Sequence, residues 1–215
     1  MATPGDLTKV MAAAIKQPLE TVKHHDQNLL AGGFRSRRGR GPSAPHVTPR
    51  DAANLLVAIL GSPVVRDSAI TVRRYAATLP YGGLQWPDRL REAVPEIRAL
   101  DPKHSFVDAV TALITHFAAG SSSIHLAEVR VDGVAPGVAG IIQVRPDRDN
   151  EWSRVEYSLP EWLASSDEDE DKYRKLLIDL KLAGTSVLDG MGVQRYVELR
   201  VIQALAALFA GGGAK

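Results

Sequence analysis

The chain has 215 residues, 45% of them hydrophobic and 24% charged, and no cysteine. This composition excludes disulfides, thiolate metal sites and cysteine nucleophiles, and it argues against disorder of the whole chain. The net charge of +1 conceals a split: residues 1–50 carry eight Lys/Arg against three Asp/Glu, a balance of +5, whereas the remainder carries 18 against 22, a balance of −4. A basic head on a mildly acidic body points the first fifth of the chain towards a polyanion.

No apolar run approaches the ~20 residues needed to span a bilayer. The run Val10–Ile15 is too short for a secretory signal and is bracketed by Lys9 and Lys16. A soluble, cytoplasmic protein without a membrane partner is expected.

Asp6 is placed to cap a short helix over Leu7–Ile15, with Leu7, Val10, Met11 and Ala14 on one face. After the break Lys16-Gln17-Pro18, a second helix is predicted over Leu19–Ala31, stopped by Gly32-Gly33. Val22, His25, Leu29 and Leu30 form its inner face; Glu20, Thr21, His24, Gln27 and Asn28 form the polar one. The segment Gly32–Thr48 then packs four arginines into six residues, Arg35, Arg37, Arg38 and Arg40. Thr48, Pro49 and Asp51 spell the start of a third helix, running to about Leu60 and ended by Gly61 and Pro63.

Residues 64–118 read as mostly helical, with helices expected over Asp67–Ala77, Pro87–Val94 and Ser105–Ala118. From Gly120 the apolar pattern changes to period two. "IHLAEVRV", "VAGIIQVR", "WSRVEYSL" and "YRKLLIDLKL" are four candidate strands joined by hairpin-type turns and one acidic loop. A final helix is expected over Val193–Ala210, with Val197, Val201, Leu205 and Leu208 on one stripe.

The order of helix, three-residue turn, helix, basic loop and capped helix in Leu7–Leu60 resembles the winged helix-turn-helix DNA-binding family. The stretch "LTKVMAAAIKQPLETVKHHDQNLLAGG" matches the helix pair and "FRSRRGRGPSAPHVT" the wing. The resemblance covers about a quarter of the chain. It implies a recognition helix in the major groove and a basic wing on phosphates or in the minor groove. The chemistry of the residues agrees. Thr21, His24, Gln27 and Asn28 supply groups that hydrogen-bond base edges, and Gln and Asn can pair with adenine bidentately. Lys23, Arg35, Arg37, Arg38 and Arg40 suit phosphates, where affinity depends on salt and little on sequence. The alternative for the arginine run is a solvated linker.

Other constellations are weaker. Adjacent residues on a helix point ~100° apart, so His24, His25 and Asp26 do not converge on a metal as an i, i+4 pair does. Asp167–Asp171 lacks the glycine and spacing of a calcium loop. Neither a nucleophile elbow nor a phosphate-cradling glycine loop is present, so no catalytic residue, metal or cofactor is assigned and the protein is expected not to be an enzyme. Trp86, Trp152 and Trp162 fit core or hairpin packing more readily than a small-molecule pocket.

The expected architecture is α+β. It comprises a winged helix-turn-helix over residues 1–62, then, over 63–215, a helical segment and a four-stranded, mainly antiparallel sheet with a C-terminal helix, serving oligomerisation or an effector. The leading functional expectation is a sequence-specific double-stranded DNA-binding transcriptional regulator, repressor or activator, acting as a homodimer or larger homo-oligomer. Its C-terminal part would contact a protein or a small molecule. The alternatives are a DNA-recognition subunit of a packaging, partition or replication assembly of phage or mobile-element type, and a protein-interaction module that does not bind DNA.

Overall fold

The structure, a computed structural model, describes residues 2–36, 46–80, 88–120, 124–132, 139–146, 152–159 and 194–210. Three helices at the start of the chain carry strong local signals. Helix α1 spans Pro4–Ile15 and α3 spans Pro49–Gly61, and both begin with the same device. In each, a threonine precedes a proline and an aspartate follows at the third helical position. Thr3 pairs with Asp6 and Thr48 with Asp51, each in a reciprocal capping box. The expected cap of α1 is thereby corrected: Thr3 is the N-cap, Asp6 lies inside the helix, and the helix begins three residues earlier than Leu7. Between them α2 covers Leu19–Ala31, as expected. Its end closes through Gly33, at φ +78°, and the Phe34 amide, which donates to the Leu29 carbonyl at 2.8 Å.

Helix α3 is apolar on nearly every side, with Leu55, Leu56 and Val57 fully buried, and a helix of that kind belongs in a core. It packs against α2, against α4 (Ser68–Tyr75) and most extensively against α7 (Phe106–Ala118). A 3₁₀ turn, Val65–Asp67, leads into α4. Between α4 and α7 lie the two-residue strand β1 (Leu79–Pro80) and short helices α5 (Asp88–Ala93) and α6 (Pro95–Arg98). Ser105 and Asp108 form a capping box for α7, so the helix begins at Phe106, one residue after the expected start.

The remaining strands are β2 (Leu126–Asp132), β3 (Ala139–Arg145), β4 (Ser153–Ser158) and β5 (Gln194–Glu198), and helix α8 (Leu199–Ala207) follows directly. They form one antiparallel sheet in the order β1-β4-β3-β2-β5. Val155, Ile142, Val129 and Val197 stand abreast across four strands, and all four are buried. This row rests on the helical layer. Helix α7 comes so close that a Cβ at Gly140 would stand 2.5 Å from the Phe106 ring. On the opposite side of the strands, Glu128, Arg130, Gln143, Arg154 and Glu156 alternate with the apolar row.

Three of the four expected strands are found; the fourth, "YRKLLIDLKL", lies outside the described residues. A strand that the sequence did not suggest, β5, takes the beginning of the expected final helix. Val197 therefore faces Val129 across the sheet instead of sharing a helical stripe with Val201. A short run such as Arg195-Tyr196-Val197 satisfies either period, and the open edge of β2 supplies the hydrogen bonds that decide it. The apolar core is continuous from Leu7 and Met11 through α3 and α7 to the sheet, drawing residues from both sides of position 62/63. Arg50 of α3 also forms an ion pair with Asp108 of α7.

Candidate nucleic-acid interface and the adjoining cavity

Helix α2 sorts its residues sharply. Val22, His25, Asp26 and Leu29 are buried, whereas Glu20, His24 and Gln27 are exposed on successive turns. The buried side includes two polar groups, each with a partner. His25 shares a 2.8 Å hydrogen bond with the Ser68 hydroxyl. Asp26 faces Arg35, whose Nε lies 3.0 Å from Oδ1. Burial, with the nearby charges of Arg195 and His24, holds the His25 pKa down to about 4, so the imidazole is neutral near pH 7. The sequence indicated an inner His25; its depth and its serine partner come from α4, a remote segment that periodicity on α2 cannot reveal.

The sequence-derived DNA-contact residues fall into three groups. Lys23, His24 and Gln27 stand on the accessible side of α2, with Lys23 Nζ 2.6 Å from Glu20 Oε1. Thr21 is half-buried and lines a cavity. Asn28 donates from Nδ2 to the Val65 carbonyl at 2.8 Å, which ties α2 to the 3₁₀ turn. Arg35 is buried, its side chain only 3% exposed. Arg37, Arg38 and Arg40 lie outside the described residues.

The arginine segment is anchored at both ends by one carboxylate. Asp51 accepts the Ser36 amide on Oδ1 at 3.0 Å and the Thr48 amide on Oδ2 at 2.8 Å. The Asn54 amide group donates to the Phe34 carbonyl at 2.6 Å, and the Val47 amide donates to the Ala2 carbonyl at 3.1 Å. Residues 36 and 48 are thus brought together over the first turn of α3. No strand pairing joins the two arms among the described residues; the clamp is made by side chains. The sequence identified Asp51 as the capping acid of α3 but not as the acceptor for Ser36, since that pairing crosses 15 positions.

Beside the α1–α2 turn lies a cavity of about 680 Å³. Its walls come from the end of α1, the start of α2, the end of α3, residues 62–65 and the β5–α8 junction. Arg195 crosses this junction and donates from one guanidinium nitrogen to the carbonyl of Ser62 at 2.8 Å and of Leu60 at 3.4 Å, capping the end of α3. Sequence reading missed this site altogether, because its halves lie more than 130 residues apart. The tryptophans are elsewhere: Trp152 is 43% exposed beneath the Arg145 guanidinium, and Trp86 and Trp162 lie outside the described residues. Among the described residues there is no cluster of metal-ligating side chains, and no helix is long and apolar enough to cross a membrane.

Comparison of the chain with protein-family models, with curated proteins and with solved structures finds no match.

Proposed function

We propose that this protein is a sequence-specific double-stranded DNA-binding regulator that presents the exposed side of α2 to the major groove. The observation that carries this reading is the clamp at Asp51, which brings Ser36 and Thr48, on either side of the arginine-bearing segment, together at the start of α3. A solvated linker has no need of closed ends, whereas a wing does. In this reading Gln27 and His24 meet base edges, Lys23 meets a phosphate, and Arg37, Arg38 and Arg40 supply the salt-dependent grip.

The role of Arg35 is to hold the loop's root against Asp26. Asn28 orients α2 through Val65, and Thr21 sits at the cavity wall, so the reading side of the helix is narrower than the polar face suggested by the sequence. A homo-oligomer is part of the proposal, since one short recognition helix covers only a half-site.

Selecting bound sequences from a random duplex pool tests the proposal. A regulator yields a defined motif, with a repeated or inverted half-site if two copies bind. Affinity for the selected duplex should exceed that for random duplex by at least about a thousandfold at ~150 mM salt. A pool that shows no enrichment overturns the reading and leaves the protein-interaction module in its place.

A further inference from the structure

The cavity beside the α1–α2 turn has the size of a small-molecule site, for which several hundred Å³ is usual. Its lining is of two kinds. Ile15, Val22, Leu60, Val65, Val197 and Val201 give apolar walls, and Lys16, Arg195 and Arg200 bring positive charge against the single carboxylate of Glu198. Arg200 Nε lies 3.8 Å from Glu198 Oε2, so those two largely answer each other and Lys16 and Arg195 remain. His25 contributes no positive charge to the wall, being neutral near pH 7. Arg195 is tied through one guanidinium nitrogen to the carbonyls at the end of α3, which orients its guanidinium beside the cavity and reduces the ordering required when a ligand arrives.

The second observation is conformational. Lys16 closes α1 in the left-handed region, at φ +56° and ψ +42°, and is the single non-glycine residue with positive φ among the described residues. Glycine adopts that geometry without the steric penalty an L side chain meets. The turn nevertheless carries a lysine, and its residue lines the cavity. Strain held at a cavity wall is a mark of function. Gln17 of the turn and Thr21 at the start of α2 form the same wall, and that helix has no side-chain cap on its first amides. Uncapped amides at a helix start favour an anion.

We propose that this cavity binds a small organic anion, a carboxylate borne on an apolar body. Lys16 and Arg195 hold the carboxylate, and the valine, leucine and isoleucine walls accept the rest. The site stands independently of DNA recognition by α2.

The test uses octanoate and 2-naphthoate, with 1-octanol and 2-naphthalenemethanol as uncharged counterparts, titrated into the full chain and followed by amide NMR shifts. Saturable shifts are expected in residues 14–25, 59–65 and 195–201, with the carboxylates binding at least about tenfold more tightly than their counterparts. Lys16→Gly removes the charge while giving the turn a residue that favours its geometry. It should keep or raise Tm and weaken the carboxylates by about tenfold, whereas Lys16→Arg retains binding. Absence of saturation at ~10 mM, equal affinity for the uncharged compounds, or unchanged affinity in Lys16→Gly overturns the proposal.

Discussion

Helices α2 and α3 have the same length, thirteen residues, and lie against each other, yet they are built for different work. Helix α3 is capped by Thr48 and Asp51, is apolar almost all round and has Leu55 and Leu56 fully buried. Helix α2 starts without a side-chain cap and leaves Glu20, His24 and Gln27 in water on successive turns. The contrast separates what holds the molecule together from what it can offer a partner. Between the two helices, Arg35 belongs to the fold, whereas the proposed DNA reading gives Arg37, Arg38 and Arg40 to the partner.

The largest effect should come from the inner helix. Leu56→Ala opens a void in a fully buried position between helices and should lower stability by about 4 kcal/mol, read as a fall in the denaturation midpoint. A loss below about 1 kcal/mol would break the contrast at its strong end.

Arg35→Met comes next. It removes the guanidinium from beside the buried Asp26 carboxylate and should cost about 3 kcal/mol. Arg38→Ala should leave stability unchanged and weaken DNA of every sequence. If the two substitutions were equally destabilising, the division of the arginine run would be wrong.

Asp51→Ala removes both the α3 cap and the clamp on Ser36, and a loss of about 2 kcal/mol is expected. By freeing the loop it should also weaken binding to selected and random duplexes alike.

A smaller effect is tied to pH. Burial depresses the folded pKa of His25 to about 4, below the ordinary value of 6.5. Between those values the unfolded chain takes up a proton that the folded chain does not. Stability is therefore complete above about pH 6.5, falls as pH drops towards 4, and loses no more from this group below that. The decline should be on the order of 1–2 kcal/mol once solvent screening is allowed for. His104, whose pKa burial also lowers, acts in the same direction, so His25→Asn should flatten the slope only in part. Urea denaturation across pH 4–7 measures both.

What the sequence disclosed follows the range of the interactions concerned. Caps, proline positions and glycine stops act within four residues, and they placed α2 and α3 almost to the residue, while helical apolar spacing placed α7. The Thr3-Pro4-Gly5-Asp6 start of α1 is the same signal as Thr48-Pro49-Arg50-Asp51, yet it is masked by a glycine and by its place at the chain's beginning. Alternation located β2, β3 and β4. Strand β5 was not legible, because Arg195-Tyr196-Val197 fits a strand only when the edge of β2 is present to pair with it. Of the candidate site, the exposed stripe on α2 could be read from periodicity. The Asp26–Arg35 pair, the Asn28–Val65 tie and the Asp51–Ser36 clamp could not, since each depends on how separate segments meet. The cavity required Arg195 to reach the end of α3.

The smallest effect on stability carries the central claim. Gln27→Ala replaces an exposed side chain and should change stability by less than about 0.5 kcal/mol. The decisive measurement is the ratio of affinities for the selected and a scrambled duplex, taken by fluorescence anisotropy at ~150 mM salt for the native chain and for Gln27→Ala. The account predicts that the substitution lowers this ratio about tenfold or more while leaving affinity for the scrambled duplex nearly unchanged. An unchanged ratio, or equal loss on both duplexes, would contradict the assignment of α2 as the helix that reads DNA.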